Sequence, residues 1–154
     1  MRAVRPCELI MKIFEIKPDE KFDVSFRLAL CRTRKEMLSA VNRDDDKMPG
    51  TKKSTSDTIG VFRSMPGIIC KDIPGIGYSN IFGTMYLNLA DLNDNVIAHE
   101  CAHAAFFWEF NIRRYAGKFD DDGNFKEQEE FCRFLGSAVE KVKKAVRKYK
   151  GGLI

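Results

Sequence analysis

The sequence predicts an α+β domain, in which a small, mainly antiparallel sheet packs against two long helices. Two observations carry that expectation. Four short β-rich runs bounded by turn residues, with one short helix among them, lie in the first ninety or so positions, and two extended stretches of helical periodicity follow them. Elements segregated in this way favour a sheet covered by helices over an alternating parallel fold. A chain of 154 residues suits a single domain over 1–154.

Glu8 to Ile16 is β-rich and stops at Lys17-Pro18-Asp19-Glu20, a turn signal. Phe22 to Cys31 (FDVSFRLALC) follows as a second strand. Thr33 then caps a helix over roughly residues 34–42, and Glu36 three residues on completes a capping box. Met37, Leu38 and Val41 are the apolar stripe of that helix. Residues 43–57 (RDDDKMPGTKKSTSD) are charged and almost without large apolar groups, which predicts a mobile loop. Thr58 to Met65 is a third strand. Pro66 to Ser79, with three glycines and two prolines, is expected to be irregular. In a fourth strand, Thr84 to Leu89, alternation places Met85, Leu87 and Leu89 on one face.

From Asp91 or Asp94 to about Arg114 the pattern is helical. Val96, Ile97, Ala104, Phe107, Trp108 and Phe110 make this helix apolar nearly all round, so a central, buried position is expected. A last helix runs from about Phe125 to Lys150, capped by Asn124 with Glu127 at the third position. Its core face is expected to hold Phe131, Leu135, Ala138, Val142 and Ala145.

Composition narrows the class of protein. A hydrophobic content of 44% and a charged content of 31% are those of an ordinary globular domain. No apolar run approaches the length of a membrane span, and Leu9-Ile10-Met11 is too short for a signal-peptide core. A cytoplasmic protein without a membrane partner is the expectation. Cys7, Cys31, Cys70, Cys101 and Cys132 are odd in number, scattered and never spaced CxxC. Reduced, mostly buried thiols are expected rather than a disulfide framework or a four-thiolate site. Within a net charge of +4, Lys141, Lys143, Lys144, Arg147, Lys148 and Lys150 crowd the C-terminal end. Such a helix end can touch nucleic acid, but a solvated face that suits the helix dipole accounts for it as well.

Both histidines of the chain fall in one run, His99-Glu100-Cys101-Ala102-His103. This is the HExxH pattern of zinc-dependent hydrolases. Residues four apart share a helix face, so the two imidazoles can converge on one metal ion. Glu100 is placed to take a proton from a metal-bound water. The neighbours Val96-Ile97-Ala98, Cys101-Ala102 and Ala104-Ala105 are all uncharged, and two histidines and a glutamate buried among them would need a partner such as a metal. Cys101 is a small apolar filler or an alternative ligand. Trp108 and the Phe106-Phe107 pair are expected in the core.

Catalytic zinc takes three protein ligands and keeps a position for water. There is no third histidine, so the last ligand must be a carboxylate, a thiolate or a tyrosine. The final helix offers Glu127, Glu129 and Glu130. Glu129 shares a stripe with the small residues Cys132 and Gly136, which would allow close approach to the HExxH helix. The order of preference is therefore Glu129, Glu130, Glu127.

On these residues the sequence resembles the gluzincins, the HExxH metallopeptidases whose third ligand is a glutamate on a following helix. The resemblance covers His99 to His103, the segment Glu129-Glu130-Phe131-Cys132 and the strand before the motif. In its small size it is similar to metallopeptidases encoded by bacteriophages and prophages. It implies a minimal zincin-like fold and a single Zn2+ held by His99, His103 and Glu129. Glu100 would be the general base and a peptide or protein the substrate, while the strand Thr84 to Leu89 would line the cleft and bind substrate backbone. An oxyanion partner would come from Tyr86, Tyr115, Arg113 or Arg133.

Two other readings compete. Asp120, Asp122, Gly123, Phe125 and Glu129 match positions 3, 5, 6, 8 and 12 of an EF-hand loop, but Lys118 stands where the first carboxylate belongs. A binding or inhibitory protein with a zinc site kept for stability is the alternative to an enzyme.

Overall fold

A computed structural model describes residues 11–45, 59–73, 77–113 and 128–151. The elements run β1 (Met11–Ile16), β2 (Val24–Cys31), α1 (Arg34–Asp45), β3 (Gly60–Ile73), β4 (Gly77–Asn88), α2 (Asp94–Phe107) and α3 (Gln128–Gly151). A π-helical turn, Trp108–Arg113, extends α2. The four strands form one sheet in the order β1-β2-β4-β3. Both outer pairs are antiparallel and the central β2–β4 pair is parallel. This is the α+β architecture that the segregated patterns predict. The EF-hand match up to Phe125, Asn124, Glu127 and nearly all of the charged loop lie outside the described residues.

Alternation along the strands sends side chains to two different cores. On one face Phe26, Leu28 and Leu30 of β2 and Met85 and Leu87 of β4 meet α2 and α3. On the other, Ala29, Cys31, Val61 and Tyr86 meet Met37, Ala40 and Val41 of α1. A strand covered on both sides has no solvent-facing positions, and β2 accordingly reads as an almost continuous apolar run. The cap of α1 forms as expected, with the Glu36 N–H donating to Thr33 Oγ1 at 3.2 Å. The Glu36 carboxylate reaches back one residue further than in a standard capping box, to the Arg32 N–H at 3.2 Å.

The stretch expected to be irregular is instead a long hairpin. β3 continues through Pro66 to Ile73, and β4 starts at Gly77. The register explains how. Ser64 faces Gly83 and Ile69 faces Ile81, so β3 carries three more residues between these pairs than β4 does. The bulge holds Pro66 and Gly67, which could not serve a regular ladder, since proline has no N–H to donate. Opposite it, Gly83 is required by a close approach: a Cβ there would lie 2.5 Å from the Phe62 ring.

The core face of α3 is shifted from the expected one. Phe134, Ala138, Val142, Ala145 and Val146 are buried, whereas Phe131 and Leu135 are only partly so. Phe134 stacks on Trp108 with centroids 4.1 Å apart and ring planes 9° from parallel. Phe22 closes the other side of Trp108 edge-on at 5.2 Å. At the surface, Arg133 pairs with Asp19 at 3.1 Å, tying α3 to the β1–β2 turn. Burial pushes the Asp19 carboxyl up, but the Lys21 N–H and Arg133 outweigh it and hold it below the ordinary value.

Candidate metal centre

The helix that carries the motif begins at Asn93, whose side chain accepts from the Val96 N–H at 3.0 Å. Asparagine is a preferred cap because it satisfies a donor that the first turn leaves open. Ile97, Cys101, Ala104, Ala105 and Trp108 turn into the core. Their burial fixes the rotation of α2 and turns His99 and His103 outward. The all-round burial expected for this helix is therefore corrected: Ala98, His99, His103, Phe106 and Phe110 are exposed along one side. Phe106 and Phe110 leave the core for the same reason, being 52% and 57% exposed. Phe107 and Phe110 beside Ile97, Ala104 and Trp108 made the helix look apolar all round, although among the described residues it is the side of Ile97, Cys101, Ala104, Ala105 and Trp108 that is buried.

His99 Nε2 and His103 Nε2 are 3.1 Å apart. A tetrahedral ion about 2.0–2.1 Å from two imidazole nitrogens holds them roughly 3.3 Å apart, so the rings are spaced for one ion. The same separation serves a hydrogen bond between a protonated and an unprotonated ring nitrogen. Glu100 Oε1 lies 3.9 Å from His99 Nε2. Ligand atoms of His99, Glu100 and His103 all fall within 4.8 Å of one another, and this group could hold a metal ion.

The two histidines and the glutamate have opposite environments. The side chain of His99 is 67% exposed and that of Glu100 only 6%. Burial raises the Glu100 carboxyl above its ordinary range, and His103, His99, the Phe62 N–H and Arg63 offset only part of that effect. The Phe62 N–H donates to the Glu100 carboxylate. β3 thus holds Glu100 by its backbone, a contact between residues 38 apart in the chain that no local pattern announces. Gly60 allows the approach: a Cβ there would lie 2.9 Å from Glu100 Cγ and 3.0 Å from Val96 Cγ1. Gly60→Ala is expected to push α2 off β3, at a cost of about 1–3 kcal/mol. Thermal unfolding measures it, and an unchanged melting temperature would contradict the close approach.

A shallow groove of about 500 Å³ opens beside the group, lined by Ile59, Gly60, Asn93, Asn95, Val96, His99 and Glu100. No family model, curated protein or solved structure matches the chain.

The other candidate residues are dispersed. Glu129 is exposed in the first turn of α3 and is not in the His99–Glu100–His103 group. Cys132 and Gly136 are exposed too, and a Cβ on Gly136 would meet nothing within 4 Å. The stripe of small residues thus does not form the contact with α2, correcting the argument that ranked Glu129 first. The helices meet through Phe134 and its neighbours instead. Glu130 is ion-paired with Lys21 at 3.5 Å. Phe131 touches Phe106 at 5.5 Å, which puts the start of α3 about one turn beyond His103.

Among the oxyanion candidates, Tyr86 belongs to the core on the far face of the sheet and Arg133 is engaged by Asp19. Tyr115 and the Arg113 side chain lie outside the described residues. Thr84 to Leu89 is not a cleft strand, because β4 is hydrogen-bonded to β2 on one side and β3 on the other. Among the described strands β3 has the open edge next to α2; its first half was expected as the strand Thr58 to Met65, but its place beside α2 follows from strand order, which no local pattern fixes. Cys101 is fully buried and burial pushes its thiol up to about 12, so it is packing, as expected. Cys31 is likewise buried, whereas Cys132 is an exposed thiol.

Proposed function

We propose that this chain is a zinc-dependent metallopeptidase. The observation that carries the reading is the pairing of two outward imidazoles 3.1 Å apart with a buried glutamate whose carboxyl is raised by burial. A bound Zn2+ supplies an acidified water and polarises a carbonyl oxygen. His99 and His103 hold the ion. Glu100 accepts a proton at its carboxylate and returns it to the leaving amine, a role that a raised carboxyl suits near neutral pH. The Phe62 N–H keeps that carboxylate oriented. Glu129 is the available third ligand, since it makes no ion pair among the described residues and Glu130 does. The open edge of β3 replaces the Thr84–Leu89 strand as the place where substrate backbone lies.

Elemental analysis of protein purified without a metal-affinity tag tests the first part. About one equivalent of zinc is expected, lost in His103→Ala and weakened in Glu129→Gln by at least the roughly 10–100-fold that loss of a mere outer-shell partner costs. Zinc below about half an equivalent under metal-replete conditions would overturn the reading. A zinc site kept only for stability predicts that chelation unfolds the chain. Since the group sits at the surface on a helix anchored by its opposite face, the chelated protein is expected to stay folded and to lose only peptide cleavage.

A further inference from the structure

A second groove, of about 290 Å³, lies at the start of α2, between that helix and the basic end of α3. Its floor is the core itself, where Ile97 and Val146 are already buried and Leu92 packs against them, and Lys143, Arg147 and Lys150 stand around it against the single carboxylate of Asp94. The three cations are spaced four and three residues apart, so they occupy one side of α3. Lys143 pairs with Asp94 at 3.5 Å. Arg147 and Lys150 have no ion pair among the described residues. Asn93 lines this groove and the one beside His99 and Glu100, so the two are neighbours across the first turn of α2.

We propose that this groove is a substrate subsite for an acidic peptide segment, and that it feeds the neighbouring metal centre. The proposal rests on the metallopeptidase reading for its occupant. The charge of the lining selects that occupant. Three cations against one carboxylate favour the carboxylate side chains of a peptide, and a peptide chain can run on past Asn93 into the groove beside His99 and Glu100.

Binding by the zinc-loaded Glu100→Gln protein tests the subsite apart from turnover. The probe is a fluorescein-labelled peptide of about ten residues alternating Glu and Leu, compared with its Gln–Leu counterpart and with a short DNA duplex. The acidic peptide is expected to bind at least tenfold more tightly than the neutral one. Arg147→Glu with Lys150→Glu should abolish that preference. The control pair Lys144→Glu with Lys148→Glu makes the same change in net charge at exposed residues outside the groove. It should change affinity less than threefold, and thermal melts confirm that both pairs fold. Equal weakening by the two pairs, or tighter binding of the duplex than of the acidic peptide, would overturn the subsite. Cleavage is scored separately with the wild-type chain: tight acidic-peptide binding without cleavage sinks the peptidase and leaves the subsite, while cleavage indifferent to peptide charge does the reverse.

Discussion

Glu100→Gln is expected to lower peptide hydrolysis by roughly 10²–10⁴-fold, the usual contribution of a positioned general base, while zinc stays bound. The substitution keeps the shape of the side chain and removes only its ability to take a proton. His99 and His103 project from the exposed side of α2 while Glu100 sits in its buried flank, so the imidazole pair does not depend on the glutamate for its position. An amide in place of a buried carboxylate also removes a charge that burial disfavours. The variant should therefore melt no lower than the wild type. Turnover and zinc content measured on one preparation decide the outcome. A Glu100→Gln protein that cleaves as fast as the wild type would remove Glu100 from the chemistry, and loss of zinc would make it a ligand rather than a base.

The second large effect is on stability. Trp108→Ala should destabilise the fold by about 3–5 kcal/mol, as large aromatic truncations in cores do. Trp108 is 1% exposed and is held between Phe134 of α3 and Phe22 before β2. It stands where α2 passes into its π-helical turn, with its backbone N–H shared between the carbonyls of Ala104 and Ala105. Removing it empties the junction that sets the spacing of α2 and α3 against the sheet. For a chain of this size the melting temperature should fall on the order of 10 °C. Trp108→Phe should recover most of that loss, because a ring still stacks on Phe134. A change of only a degree or two in the alanine variant would show that the stack does not carry the core.

The same residues show where sequence reading stops. The i, i+4 spacing of His99 and His103 was enough to bring their nitrogens together, because a helix supplies that proximity without help from the rest of the chain. The cap at Thr33, the alternation of Met85, Leu87 and Leu89 and the periodicity of α3 were legible for the same reason. Burial was not. The uncharged neighbours of the motif suggested histidines enclosed in the core, yet one side of α2 is open and only Glu100 is covered. Whether an apolar side is covered depends on what packs there, which composition does not encode. Glu129 illustrates the same limit. A stripe of small residues invites close packing, but Phe134 offers more apolar area to bury and took the contact, turning Cys132 and Gly136 outward.

Taken alone, the sequence determined the class of fold, the order of its elements and the pairing of two imidazoles, all of which are local consequences of periodicity and spacing. Only the tertiary structure decided that β3 rather than β4 flanks α2, because strand order depends on pairing between distant segments. It also decided that Glu100 is buried, because Gly60 and the Phe62 N–H come from 40 and 38 residues away. The basic end of α3 came to stand beside Asn93 and Asp94 in the same way, across the interface. These are long-range contacts, fixed by which apolar surfaces can be buried together and not by any pattern within a single element.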